Sequence, residues 1–131
     1  MALNVIVAAI AAMAIGAVYY SPGVMGKKWI KAQGWTESKA KEMHKDNKKS
    51  MVWGFIATLI AAYVLAKIMG LAGAVTVGQG VAVGFWAWLG FVATTQIGSV
   101  LWEGKSTSLF YINTVHSLIS FVIMGAVLGA F

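Results

Sequence analysis

Long apolar stretches separated by short polar ones dominate the chain. Four apolar runs stand out: Ala2 to Tyr20, Met51 to Leu71, Val77 to Leu101 and Leu109 to Phe131. Each approaches the roughly 20 residues that a helix needs to cross a hydrocarbon core about 30 Å thick. A water-soluble bundle of the same length would carry a polar outer stripe along every helix, yet nearly all the charge here is confined to residues 27–49. The pattern predicts an all-α fold, a single transmembrane domain over 1–131 built as an integral membrane four-helix bundle. The first run lacks a basic leader and ends in Tyr19, Tyr20, Ser21 and Pro22, an interface anchor followed by a helix stop, so it is expected to be a retained span.

The connections set the orientation. Residues 21–50 hold eight lysines (27, 28, 31, 39, 41, 45, 48 and 49) against Glu37, Glu42 and Asp46. The link at 72–76 is neutral, and the turn after the third run carries Glu103, Gly104 and Lys105. Short lysine-rich loops stay cytoplasmic, so the chain is expected to be N-out and C-out with a basic cytoplasmic loop between helices 1 and 2. Thr36 is an expected N-cap there, for a helix from Ser38 to Val52 that continues into the second span. Lys27, Lys28, Lys31, Lys48 and Lys49 are expected to face anionic lipid of the inner leaflet, each worth about 1 kcal/mol near the surface, or simply to fix topology. Trp29, Trp35, Trp53 and Trp102, with Tyr19 and Tyr20, form an expected aromatic belt, whereas Trp86 and Trp88 fall mid-span and are expected to pack between helices. Lys67, in the last turn of span two, is expected to snorkel to the outer interface.

Composition narrows the chemistry. The chain is 60% hydrophobic and 11% charged, with a net charge of +6 and no cysteine. Disulfides, thiolate metal sites and cysteine nucleophiles are therefore excluded. All ten basic residues are lysine; with no arginine fork and no nucleic-acid-binding fold in the pattern, nucleic acid is not an expected partner. His44 and Asp46 sit in a lysine-rich loop far from His116, which is not the spacing of a metal site. Phosphate-loop, dinucleotide and nucleophile-elbow motifs are missing. No catalytic, cofactor-binding or metal-binding residue is predicted.

What remains is packing and a polar face. Gly80 with Gly84 and Gly125 with Gly129 are GxxxG pairs that allow helix backbones to approach closely, and Gly90, Thr94 and Gly98 extend the stripe of span three. In span four Asn113, His116, Ser117 and Ser120 stand at offsets of one helical face. Span three offers Thr95, Gln96, Ser99 and Glu103 toward the same end, and the tight turn makes the two helices antiparallel neighbours. The candidate polar cluster is Gln96, Ser99, Glu103, Asn113, His116 and Ser117. It reads either as an interhelical hydrogen-bond network or as a ligand pocket or relay centred on His116.

Tyr20-Ser21-Pro22, Gly26-Lys27 with Trp29, Gly34, Leu101-Trp102-Glu103-Gly104-Lys105 and Tyr111-Ile112-Asn113 together resemble a family of small four-span prokaryotic membrane proteins, domain of unknown function 1761. The resemblance covers nearly the whole chain. It implies a multi-pass protein of the prokaryotic cell membrane with no established activity, and it draws the three boundary motifs toward one corner.

Three functions are expected from these features. The first is a non-catalytic accessory or scaffold subunit, homo-oligomeric or held in a larger membrane complex. The second is a small oligomeric transporter or channel with its polar path on helices 3 and 4. The third is an enzyme acting on a lipid or quinone, with Glu103 and His116 as acid and base.

Overall fold

The computed structural model describes residues 2–45 and 47–131; the acid expected at Asp46 lies outside them. Among the described residues every regular element is helical. The first apolar run forms α1, Ala2–Tyr19. Pro22 then opens a π turn, Pro22–Gly26, in which the Gly26 N–H donates to the Ser21 carbonyl at 2.9 Å. Here α2, Lys27–Gln33, begins, and the chain leaves the direction of α1 by 48°. A Cβ on Gly26 would meet the backbone of Tyr20 and Ser21, so the corner requires glycine.

Gly34, at φ 77°, ends α2 in the left-handed region that suits glycine. Thr36 caps α3, Glu37–His44, accepting from the Lys39 N–H at 3.1 Å. The next helix, α4, starts only at Lys48 and runs to Ala72. The single helix expected from Ser38 into span two is therefore broken before Lys48. Lys41, Lys45 and Lys49 would stack at four-residue spacing along it, and like charges so placed oppose helix formation. Beyond a short link, Thr76 and Gln79 form a capping box at the start of α5, Val77–Ala87. A π segment, Trp88–Ala93, leads into α6, Thr94–Gln96, and α7, Gly98–Leu101. Ser106 caps α8, Thr107–Ala130, accepting from the Leu109 N–H at 3.1 Å.

Three helical stretches, Lys48–Ala72, Val77–Leu101 and Thr107–Ala130, are long and apolar enough to cross a membrane, and the bent pair Leu3–Tyr19 and Pro22–Gln33 is a fourth candidate. Helix α8 is central, packed between α5 and α1, while α4 lies mainly on α1. Small residues make this possible. A Cβ on Gly80 would meet the Gly125 carbonyl, one on Gly84 the Phe121 carbonyl, and one on Gly129 the Thr76 carbonyl, so both GxxxG pairs close on each other within the chain. The stripe ends there: Gly90 and Thr94 are exposed. Gly90 and Thr94 stand six and ten residues past Gly84, turned roughly 120° and 80° from it around a regular helix, and the π segment that holds Gly90 shifts the register further. Ala8, Ala9, Ala12, Ala62, Leu65 and Met124 form the centre of the core. Many large apolar side chains point outward instead, Leu71 at 91% exposure and Phe91 at 71% among them. Trp86, expected to pack between helices, is 66% exposed.

Candidate functional site

The corner that ends α1 brings three helices together. Tyr19 donates its hydroxyl to the Ile112 carbonyl at 2.7 Å, and Tyr20 donates to Asn113 Oδ1 at 2.7 Å. From α2, Trp29 Nε1 donates to the same Asn113 oxygen at 3.1 Å. Two donors on one oxygen fix which end of the amide is which. The Asn113 carbonyl faces Tyr20 and Trp29, and its NH2 group is directed elsewhere. Rings fill the space around these bonds: Trp29 stacks edge-on against Trp35 at 5.2 Å between centroids, and Lys39 Nζ lies 5.6 Å from the Trp35 ring. A cavity of about 620 Å³ opens beside them, lined by Tyr20, Pro22, Lys27, Trp29, His44 and Asn113 among others.

A second network ties α8 to the third apolar stretch. Trp88 Nε1 donates to the Thr114 carbonyl and to Ser117 Oγ, both at 3.0 Å, and Ser117 lies 3.2 Å from Gln96 Oε1 and 2.9 Å from the Thr114 carbonyl. Ser117 has a single hydrogen to share between those two acceptors. Trp88 thus joins helices through its N–H, as well as by its bulk. Gln96, Ser99, Glu103 and Asn113 line a cavity of about 360 Å³ together with Thr95, Trp102 and Thr114. The Thr114 side chain is 6% exposed, and its Oγ1 has no hydrogen-bond partner.

His116 stands apart from this cavity. Its ring packs against Tyr20 and Tyr19, with centroids at 4.8 and 5.4 Å, and Nε2 lies 3.4 Å from Ser120 Oγ. A Cβ on Gly16 would lie 3.0 Å from His116 Nε2, so glycine in α1 makes room for the ring. His116, Ser117 and Ser120 line a larger space of about 760 Å³ between α1, α4 and α8. Of the six residues in the sequence-derived cluster, four therefore share one cavity. Ser117 lies behind its wall, bonded to Gln96, and His116 faces α1.

The lysines divide. Lys27 lines the aromatic cavity, whereas Lys28 and Lys31 line another of about 590 Å³ with Ser106, Ser108 and Tyr111. Lys48 and Lys49 are exposed in the first turn of α4. Lys67 is also exposed, its Nζ 5.3 Å from the Tyr63 ring centroid. Two residues were missed as partners by reading span four alone, Tyr20 and Trp29. Their signal lay in two of the boundary motifs, which meet Asn113 here through Tyr20, Gly26 and Trp29, whereas Glu103 of the third lines the smaller cavity.

Residues 3–129 match the family described as "Protein of unknown function (DUF1761)", and the chain belongs to that family. No curated protein and no solved structure matches it.

Proposed function

We propose that this family member is a multi-pass protein of the prokaryotic cell membrane, with four crossing segments and both termini outside, that acts as a non-catalytic accessory or scaffold subunit. The observation that carries the reading is the outer surface. Large apolar side chains lie exposed along the helices: Ile10 and Val18 on α1, Ile56 and Ile60 on α4, and Trp86 and Phe91 on the third stretch. Such a surface is at home in lipid or against another membrane helix.

Support for four segments comes from α1, whose 18 residues extend about 27 Å at a rise of ~1.5 Å per residue. Support for a single cytoplasmic end comes from Ser106 Oγ, which donates to the Ala32 carbonyl at 3.2 Å and so ties the lysine-rich segment to the turn before α8. The assembly surface would be α4. Its inner side meets α1, and Trp53, Ile60, Tyr63 and Val64 on it are exposed. The glycine pairs do not serve as that surface, because backbone of this chain already fills them: Gly80 and Gly125 face each other, Gly84 faces Phe121 and Gly129 faces Thr76.

Two measurements test the reading. Alkaline carbonate should leave the protein in the membrane pellet. Native mass in mild detergent should exceed one chain, and Ile60→Ser with Val64→Ser should return it to one chain while insertion is kept. A lone monomer that turns over a substrate would overturn it. The alternative, an oligomeric transporter, draws on the cavities lined by Gln96 and Asn113 and by His116; solute or proton flux in liposomes that His116→Ala abolishes would favour it instead.

A further inference from the structure

The cavity of about 360 Å³ between α7 and α8 holds a set of unused hydrogen-bonding groups, and their arrangement specifies what would fill it. Thr114 Oγ1 is buried without a partner. A hydroxyl in that state costs about 1–3 kcal/mol unless something bonds to it. Asn113 lines the same cavity, and its Oδ1 is already occupied by Tyr20 and Trp29, both of which belong to the neighbouring cavity. Its NH2 group is therefore turned away from them, toward this one. Gln96 Oε1 lies within bonding distance of Ser117 Oγ, so its NH2 group is likewise the end left over. The inner wall offers donors: two amide NH2 groups and one hydroxyl.

The rim differs in sign. Glu103 and Trp102 lie there, both exposed, and Glu103 is the one acidic residue of the chain outside the lysine-rich loop. A carboxylate beside an indole ring suits an ammonium group, through charge and through the ring face. No lysine lines the cavity, so a plain anion would find neutral donors at one end and repulsion at the other.

We propose that this cavity binds a zwitterion, with an oxyanion on Asn113, Gln96 and Thr114 and a primary ammonium group on Glu103. A phosphoethanolamine lipid headgroup and a free small phosphoethanolamine compound share that chemistry. The lipid source rests on the membrane reading above, which carbonate extraction tests separately.

Full-length protein in neutral detergent is titrated with phosphatidylethanolamine and with phosphatidylglycerol by native mass spectrometry, and with glycerophosphoethanolamine by calorimetry. One phosphatidylethanolamine per chain is expected, in preference to phosphatidylglycerol. Binding of glycerophosphoethanolamine as well assigns the site to the free compound or the headgroup alone; its failure to bind assigns the site to the lipid. Glu103→Gln should weaken binding about tenfold and Thr114→Val about fivefold, the effects of a charged and a neutral hydrogen bond, with Glu42→Gln as an unchanged control. Thr114→Val removes an unpartnered hydroxyl and keeps its shape, so the unliganded variant should melt no lower than wild type. Equal binding of phosphatidylglycerol, absence of binding by both phosphoethanolamine compounds, or binding indifferent to both substitutions would overturn the proposal.

Discussion

Asn113 is where single-residue chemistry has the widest reach, because one oxygen holds α8 to both α1 and α2. Replacing it with leucine leaves the Tyr20 hydroxyl and the Trp29 N–H without an acceptor, at about 1–3 kcal/mol for each donor that water does not reach. Asn113→Leu should accordingly lower the melting temperature in detergent, and Asn113→Asp, which keeps the acceptor, should lower it less. Equal loss in both would mean that the two bonds do not hold the corner. Gly26 and Gly23 form a matched pair, since a Cβ on Gly26 overlaps backbone while one on Gly23 meets nothing within 4 Å. Gly26→Ala should cost about 1–3 kcal/mol, the usual range for overpacking, and Gly23→Ala close to nothing. Much of this was legible in the sequence as residue types at a boundary. The division of labour on α8 was not. Residues 113, 116, 117 and 120 span roughly 100° of a helix, and that arc straddles the junction where α1 meets one flank of α8 and α5 the other. Helical offset identifies a face but not the neighbour on each flank, so His116 faces Tyr19 and Tyr20 while Ser117 faces Trp88 and Gln96.

At the scale of elements, apolar run length anticipated the three long stretches closely, and the caps at Thr36 and Ser106 arise from ordinary N-cap chemistry. Where local forces compete, the sequence was a weaker guide. The α3–α4 break answers to lysine repulsion, and the π segment at Trp88–Ala93 has no compositional mark. The glycine seam stops where that segment begins. Upstream of it, Gly80 and Gly84 touch α8 backbone; inside it, Gly90, six residues past Gly84 and so on another face, meets nothing within 4 Å. The consequence is testable by substitution on and off the seam. Gly125→Leu and Gly80→Leu should disrupt α5–α8 packing and lower stability by several kcal/mol or prevent folding, whereas Gly90→Leu should be tolerated. Thermal melting and protease resistance in detergent distinguish them, and a Gly90→Leu variant as damaged as the other two would show that close packing reaches into the π segment.

The whole molecule has an end rich in lysine and an opposite end near which only Lys67 lies, and this asymmetry bears on how it would sit in a membrane. Residues 21–50 hold eight of the ten lysines. Lys105 lies in the turn before α8, and the Ser106–Ala32 bond ties that turn to the same end. Nine of ten therefore gather at one end, and moving them across a membrane during insertion would be opposed by the bias that keeps lysine-rich loops in the cytoplasm. The opposite end carries the neutral link after α4, where Val75 is 77% exposed, and the last residue, Phe131, at 68%. The chain contains no cysteine, so single substitutions report position without background. Ser38→Cys, Val75→Cys and Phe131→Cys fall at exposed positions, two of them at the end opposite the lysines. On intact cells an impermeant maleimide should label 75 and 131 and leave 38 protected until the membrane is permeabilised. Reversal of that pattern would put the basic end outside, and labelling of 75 without 131 would mean that the helices do not cross as four.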